Sequence, residues 1–177
     1  MLVQALELTL VDAVAKGVAS RKWLEITGGI DMRFFDKDYY DSKLSDEEMN
    51  KRYDLYNIYI NHILPDLKFP ERELTRINFH DAKIIKIKKT KRNITIQAMI
   101  GDLQNGYQYL KICLLRGTVN KKIKTFNCLD AEFEICNNQL FLHFITDKLE
   151  DIDITFESVI CIILREIPER KYFSKKI

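Results

Sequence analysis

Apolar and polar residues alternate along the chain from about residue 77 onward, and this pattern predicts a β-rich region. Apolar residues occupy every second position of 93–100, and the same period of two recurs in 131–136 and 151–157. Half-buried strands show this alternation because successive side chains point to opposite faces of a sheet. The predicted strands are 82–89, 93–100, 107–116, 122–127, 131–136, 139–146, 151–157 and 159–164.

The connections between these strands are short, which indicates antiparallel pairing. No helical pattern of ten residues separates the strands, so a parallel βαβ arrangement is not expected. Asn137-Asn138 predicts a hairpin, because Asn tolerates positive φ. We therefore expect an α+β fold, in which N-terminal helices precede a mainly antiparallel β-sandwich or partly closed barrel of seven or eight strands.

A helix is predicted over 46–64. Ser45 and Glu48 form a capping-box pattern at its start, and Pro65 ends it. The apolar positions recur at helical spacing and should pack on the sheet or across one of its edges: Met49, Tyr53, Tyr56, Ile60 and Ile63. The following stretch, 66–76, is interpreted as a linker.

The first 31 residues differ in composition from the rest of the chain. They hold four of the seven alanines and four of the six valines, but no Asn, Phe or Tyr. We interpret 1–31 as a leader, either a non-native or over-extended start before Met32 or a genuine N-terminal helix. The expected organisation is this leader, a helical segment and linker over 32–76, and an antiparallel β domain over 77–177.

Composition excludes several classes of protein. The 177 residues are 46% hydrophobic and 31% charged, with a net charge of +2, as is typical of a globular domain. No stretch of about 18 apolar residues predicts a membrane span. The four cysteines match no zinc spacing, and three of them lie in apolar, strand-like runs, so we expect buried, reduced thiols, a cytoplasmic location, and neither a metal nor a cofactor. The alternative is that the cysteines form disulfides or bind a metal.

No nucleotide-binding, hydrolase or metalloprotease motif is present. His80-Asp81 is the one local pair with catalytic character, since a carboxylate can orient an imidazole base. The alternative is that His80 or Asp81 bonds nearby backbone and fixes the turn into the sheet.

Charge is segregated along the β-rich region. Residues 78–125 carry eleven Lys/Arg and two Asp/Glu, whereas 126–157 carry one Lys and eight Asp/Glu. The segregation indicates either cross-strand charge pairing or a polarised surface that attracts a charged partner. The candidate partner-binding residues are Lys86, Lys88, Lys89, Lys91 and Arg92.

The chain from Met32 to about residue 164 resembles a bacterial, Firmicutes-type family known only as a domain of unknown function. Three pieces carry the resemblance: the opening Met32–Tyr40, the His-Asp element Phe79–Ile84, and the paired strands Glu132–Ile135 and Leu140–Phe144. The resemblance implies that Met32 is the start, and it implies no activity. The His-Asp element also resembles one in immunity proteins of bacterial toxin systems.

Three functions follow as hypotheses. The first is a non-enzymatic cytoplasmic protein-interaction module, immunity-like in that it would antagonise a partner. The first alternative is nucleic-acid binding through the basic 83–124 region, with Tyr107 and Tyr109 stacking on bases. The second alternative is an enzyme centred on His80 and Asp81. The sequence leaves the partner and the oligomeric state open.

Overall fold

The computed structural model describes residues 34–41, 44–102, 104, 106–121, 125–136 and 139–167. The predicted leader lies outside these residues. The helices are α1 (Lys37–Tyr40), α2 (Asp46–Ile63), a 3₁₀ turn (Leu64–Asp66) and α3 (Phe69–Thr75). The strands are β1 (Lys83–Lys89), β2 (Asn93–Asp102), β3 (Gly106–Leu115), β4 (Thr118–Val119), β5 (Phe126–Cys136), β6 (Gln139–Thr146), β7 (Asp151–Phe156) and β8 (Ser158–Glu166).

The eight strands form one sheet in the order β4-β7-β6-β5-β1-β2-β3-β8. Every pairing is antiparallel, which confirms the predicted α+β class with an antiparallel sheet. The sheet is open, and its edge strands are β4 and β8. Cys136 lies opposite Gln139, so the strands that flank 137–138 pair as the hairpin prediction requires.

The core lies on one side of the strands. Along β2, buried Ile94, Ile96 and Ala98 alternate with half-buried polar positions, as the two-residue period predicts. The buried residues of β1–β3 and of β5–β7 belong to a single cluster, and residues of the helical segment, such as Ile63 and Leu74, belong to it too. The helices and the sheet therefore share one core.

Two boundaries differ from the prediction. The expected linker 66–76 contains α3, because Pro70 stands in the first helical turn, where its missing N–H costs nothing. Residues 126–127 of the predicted strand 122–127 belong to the same strand as the predicted 131–136, namely β5, whose register shifts between Cys128 and Asp130; residues 122–124 lie outside the described residues.

Helix α2 covers the free edge of β5. Strand β5 pairs with β1 at residues 126 and 127, and beyond them the edge that faces away from β6 has no partner strand among the described residues. There the N–H of Phe133 donates to the Tyr56 hydroxyl at 2.9 Å, and that of Ile135 donates to the Tyr59 hydroxyl at 2.8 Å. The helix thus packs across an edge of the sheet, as predicted, and Tyr56 of the predicted face makes one contact. The second contact comes from Tyr59 and not from the predicted Tyr53, which is 53% exposed.

Helix α3 supports the other end of the sheet through a buried carboxylate. Glu71 is 3% exposed and α3 packs against β8. The Glu71 Oε1 atom accepts the N–H of Val159 at 2.8 Å. The contact satisfies a backbone donor on an edge strand that would otherwise be buried without a partner.

We expect Glu71→Ala to lower the free energy of unfolding by about 1–3 kcal/mol, because the buried Val159 N–H loses its acceptor. Glu71→Gln keeps an acceptor oxygen and should cost less. Urea denaturation of the two variants provides the comparison. An alanine variant as stable as the glutamine variant would show that this bond does not support β8.

Candidate functional site

The register of four strands builds a basic surface on the side of the sheet away from the core. Lys86, Gln97 and Lys111 are directly opposite one another, and the positions that flank Gln97 on β2 and Lys111 on β3 are buried. We call this surface the basic face. It consists of three rows across β1, β2, β3 and β8: Lys83–Met99–Tyr109–Arg165, Lys86–Gln97–Lys111–Ile163 and Lys88–Thr95–Cys113–Cys161.

A β-bulge brings the lysines of β1 onto one side. The register shifts between Ile84 and Lys86, so Ile85 is the extra residue. In a regular strand Lys83 would share a side with residue 85, whereas the bulge places it with Lys86 and Lys88. Ile85 is left 40% exposed. The bulge therefore adds a third lysine to the basic face.

The basic face carries five cations and no carboxylate at its twelve positions. The cations lie at its two sides, on β1 and β8, and at Lys111 within it. Met99 and Tyr109 give the interior of the face apolar and aromatic surface, Ile163 adds apolar surface on β8, and each of the three is half-buried. The face thus combines positive charge with a mixed interior.

The predicted partner-binding residues divide between this face and its border. Lys86 and Lys88 lie on it, whereas Lys89 lies opposite the core residue Ile94. Lys91 and Arg92 lie in the turn between β1 and β2. Lys83, Lys111 and Arg165 complete the face but were absent from the predicted set, because only the strand register shows that they share a side with Lys86 and Lys88.

Few opposite charges from the basic and acidic segments pair with each other. Among the described residues, Lys/Arg side chains of 78–125 reach carboxylates of 126–157 in two places, Arg116–Glu157 at 3.2 Å and Lys121–Glu150 at 3.9 Å. Both pairs are exposed and lie outside the basic face. Cross-strand charge pairing is one of the two interpretations of the segregated charge. Among the described residues it applies to these two pairs outside the basic face, and not to the five cations of the face itself.

The acidic half of the sheet is organised around His143. Its Nδ1 is 2.9 Å from Asp153 Oδ1 and its Nε2 is 3.0 Å from Glu134 Oε2. Glu132 lies directly opposite His143 in the register and is buried. We call these four residues the His143 cluster. It joins β5, β6 and β7 on the side of the sheet away from the core.

The pKa values in the His143 cluster reflect burial and mutual charge. Burial by itself would lower the pKa of His143, but the hydrogen bonds to Asp153 and Glu134, with the charge of Glu132, raise it to about 9. Burial raises the pKa of Glu132 to about 7, although the His143 charge and two backbone N–H groups oppose the rise. Both imidazole nitrogens of His143 are hydrogen-bonded, so the ring has no free lone pair for base catalysis or metal binding.

The His80-Asp81 pair lies in the turn that enters β1. His80 Nε2 is 3.6 Å from Asp81 Oδ2, and His80 Nδ1 is 3.6 Å from Asp130 Oδ2, both beyond hydrogen-bonding distance. The backbone N–H of His80 donates to Asn78 Oδ1 at 2.9 Å, and Asp81 adopts a φ of 57°. His80 is 57% exposed. The geometry is that of a tight turn with an exposed imidazole.

Two features of other ligand sites are absent from the described residues, a group of metal ligands and a membrane-spanning helix. In that part of the chain no three His, Cys, Asp or Glu side chains are grouped so that they could hold a metal ion. No described helix is both long enough and apolar enough to cross a membrane. Comparison with family models, curated proteins and solved structures finds no match. The resemblance of Met32–Tyr40 and Phe79–Ile84 to a family of unknown function stays a prediction.

Proposed function

We propose that the protein is a non-enzymatic binding module whose basic face docks on an acidic surface of a protein partner. The observation that carries the proposal is the set of three rows with five cations and no carboxylate. A surface of one charge sign attracts a complementary partner over distance and raises the association rate. An enzyme or toxin that acts on a basic substrate has an acidic active site. An immunity-like antagonist would block such a target by docking its basic face on that site.

The apolar and aromatic residues of the basic face favour a protein over a nucleic acid. Met99, Tyr109 and Ile163 offer apolar and aromatic contacts of the kind enriched at the centres of protein interfaces. The whole chain has a net charge of only +2, whereas nucleic-acid-binding domains are commonly strongly basic. One observation supports the nucleic-acid alternative: Tyr109 lies between Met99 and Arg165 and could stack on a base.

The core shared by the two halves of the sheet indicates how the basic face and the His143 cluster are oriented. We infer that the sheet folds over its core as a sandwich, because buried residues of β1–β3 and of β5–β7 form one cluster. In that arrangement the basic face and the His143 cluster point away from each other. A partner can then dock on the basic face without approaching the acidic half.

The enzyme hypothesis receives no support from the geometry. His80 and Asp81 are 3.6 Å apart and exposed, and no further group orients the imidazole within hydrogen-bonding distance among the described contacts. His143 has both ring nitrogens occupied. His143 and His80 each line a cavity, of about 350 Å³ and 470 Å³, but neither has the arrangement of a positioned base: the ring nitrogens of His143 are both occupied, and His80 has no carboxylate within hydrogen-bonding distance among the described contacts.

Two defined polyanions test the proposal: a poly-L-glutamate peptide and an oligothymidylate of equal charge. We expect Lys86→Glu/Lys88→Glu to weaken polyglutamate binding roughly tenfold at 50 mM salt, because two attractive contacts become repulsive. The matched control, Lys51→Glu/Lys68→Glu, makes the same change of net charge on exposed positions outside the sheet. Its dissociation constant should change less than about twofold.

Two results would overturn the proposal. Equal weakening in both double variants would mean that net charge alone governs binding. Tighter binding of the oligothymidylate than of polyglutamate, lost in Tyr109→Ala, would identify the basic face as a nucleic-acid surface instead.

A further inference from the structure

We propose that Cys113 and Cys161 form a dithiol site that low-molecular-weight disulfides oxidise to an intramolecular disulfide joining β3 to edge strand β8. The two residues are directly opposite each other in the antiparallel register, in the third row of the basic face. Both are free cysteines and both are half-buried. The inference concerns covalent chemistry and does not depend on the proposed partner.

The backbone spacing at this position suits a disulfide. The N–H of Ile167 donates to the carbonyl of Tyr107 at 3.1 Å, so residues 107 and 167 form a hydrogen-bonded pair. Hydrogen-bonded pairs recur at every second residue, and the register is unbroken from Gln108 to Cys113. Cys113 and Cys161 are therefore also such a pair, with Cα atoms about 5.5 Å apart. Disulfides span about 4.4–6.8 Å between Cα atoms, so the Cα spacing fits; their Cβ atoms lie about 3.5–4.5 Å apart, so the Cβ atoms of this pair, roughly 5.5 Å apart in a regular ladder, must approach each other by about 1 Å.

Strand β8 can adjust to the cross-link. The register shifts immediately beyond Cys113 and Cys161, where Ile160 is an extra residue. A bulge disrupts the ladder locally and lets the strand bend, which relieves strain at the neighbouring pair. Strand β8 also lies at the edge of the sheet and pairs only with β3 among the described strands. The Cβ atoms of Cys113 and Cys161 can thus approach each other without displacing a second strand.

The other two cysteines serve as internal controls. Cys128 is buried, and its thiol donates to the Asp130 carbonyl at 2.9 Å. Cys136 lies opposite Gln139 on the other half of the sheet. Neither has a cysteine partner in its register, so the proposal predicts that neither joins an intramolecular disulfide of the folded chain.

The exchange has two steps. A thiolate of Cys113 or Cys161 attacks one sulfur of glutathione disulfide, forms a mixed disulfide and releases one glutathione thiolate. The second protein thiolate then attacks the protein-side sulfur, forms the Cys113–Cys161 bond and releases the second glutathione thiolate. The two protein thiol protons end on the two released thiols. The protein loses two electrons, and glutathione disulfide gains them.

The reaction should be slow at neutral pH and faster in alkali. Burial, and then interaction with the Cys113 thiol, raise the pKa of Cys161 above its ordinary range, while Lys111 opposes the rise. Only the thiolate attacks a disulfide. The oxidation rate should therefore increase between pH 7 and 9.

The test incubates the full chain with glutathione disulfide in native buffer, blocks free thiols by alkylation, and maps linked peptides by mass spectrometry without reduction. We expect more than half of the chains to carry a Cys113–Cys161 linkage, with a mass lower by about 2 Da. In Cys161→Ser, the mixed disulfide on Cys113 should accumulate at least about tenfold above the parent chain, because no thiol resolves it. Cys136→Ser should leave the yield of the linkage unchanged.

Three outcomes contradict the proposal. The first is accumulation of the mixed disulfide on Cys113 in the parent chain to the level seen in Cys161→Ser. The second is a linkage that forms only between chains. The third is a linkage that appears only in denaturant, where the register is lost. Circular dichroism of each variant confirms that the chain is folded before oxidation, so failure to link reports on the geometry of the site.

Discussion

Replacing His143 by glutamine should destabilise the protein by about 3–5 kcal/mol, the largest effect we expect from a single substitution. The His143 side chain is 11% exposed and lies between Asp153 and Glu134, each within 3.0 Å. Removing one partner of a buried ion pair leaves the other charges buried without compensation. Here the remaining carboxylates include Glu132, which is itself buried. Chemical denaturation at pH 7 measures the loss.

A matched substitution separates this effect from loss of a histidine in general. His80 is 57% exposed, and both its carboxylate neighbours are 3.6 Å away. His80→Gln should change the free energy of unfolding by less than about 0.5 kcal/mol. If His143→Gln were equally mild, the His143 cluster would not stabilise the acidic half of the sheet.

The His143 cluster also predicts how stability depends on pH. The pKa of His143 is about 9 in the folded chain and 6.5 ordinarily, so its stabilisation is complete below pH 6.5 and disappears as pH rises through 9. The difference corresponds to roughly 3 kcal/mol. The raised pKa of Glu132 acts in the same direction at lower pH, because ionising this buried acid costs stability between about 4.5 and 7. Stability should therefore fall from pH 6.5 to 9, and His143→Gln should flatten this decline.

The second large effect is expected at the edge of β5. The double variant Tyr56→Phe/Tyr59→Phe removes the hydroxyls that accept the N–H groups of Phe133 and Ile135. Two backbone donors then lose their partners, at a cost of about 2–4 kcal/mol in total. Urea denaturation measures the cost. Light scattering should also show increased self-association, since an unsatisfied strand edge is a template for pairing.

Tyr53→Phe is the control for the edge variant. Tyr53 belongs to the same helix but is 53% exposed, and its loss of a hydroxyl should change stability by less than about 0.5 kcal/mol. A double variant no less stable than Tyr53→Phe would mean that water satisfies the edge of β5 equally well.

Strand positions could be predicted from the sequence because β2 and β7 bury one side only, which produces a clean period of two. Helix α2 was predictable at its start for a similar local reason. The Ser45 side chain and Glu48 satisfy each other's backbone donors within one turn. Helix α3 was missed because Pro70 usually marks a break, and only its position in the first turn makes it compatible with a helix.

The functional surfaces were only partly predictable, because they depend on strand register. The charge blocks along the chain indicated a polarised surface, but the bulge at Ile85 decides which lysines share a side. The His143 cluster brings together residues from three strands, and the spacing along the chain does not show that Asp153 of β7 joins Glu132 and Glu134 there. A weak signal existed: Glu132 and Glu134 alternate with apolar residues at regular strand spacing, so a cation opposite them was to be expected.

Methyl NMR of methionine tests most directly whether the basic face is the binding surface. The chain has four methionines, of which Met99 lies in the first row of the basic face and Met49 lies on α2. Selective labelling gives one signal for each, and Met99→Leu identifies the signal of Met99. On titration with poly-L-glutamate, the Met99 signal should shift saturably, and that of Met49 should not move. Binding that shifts Met49 while Met99 stays unchanged would contradict the account.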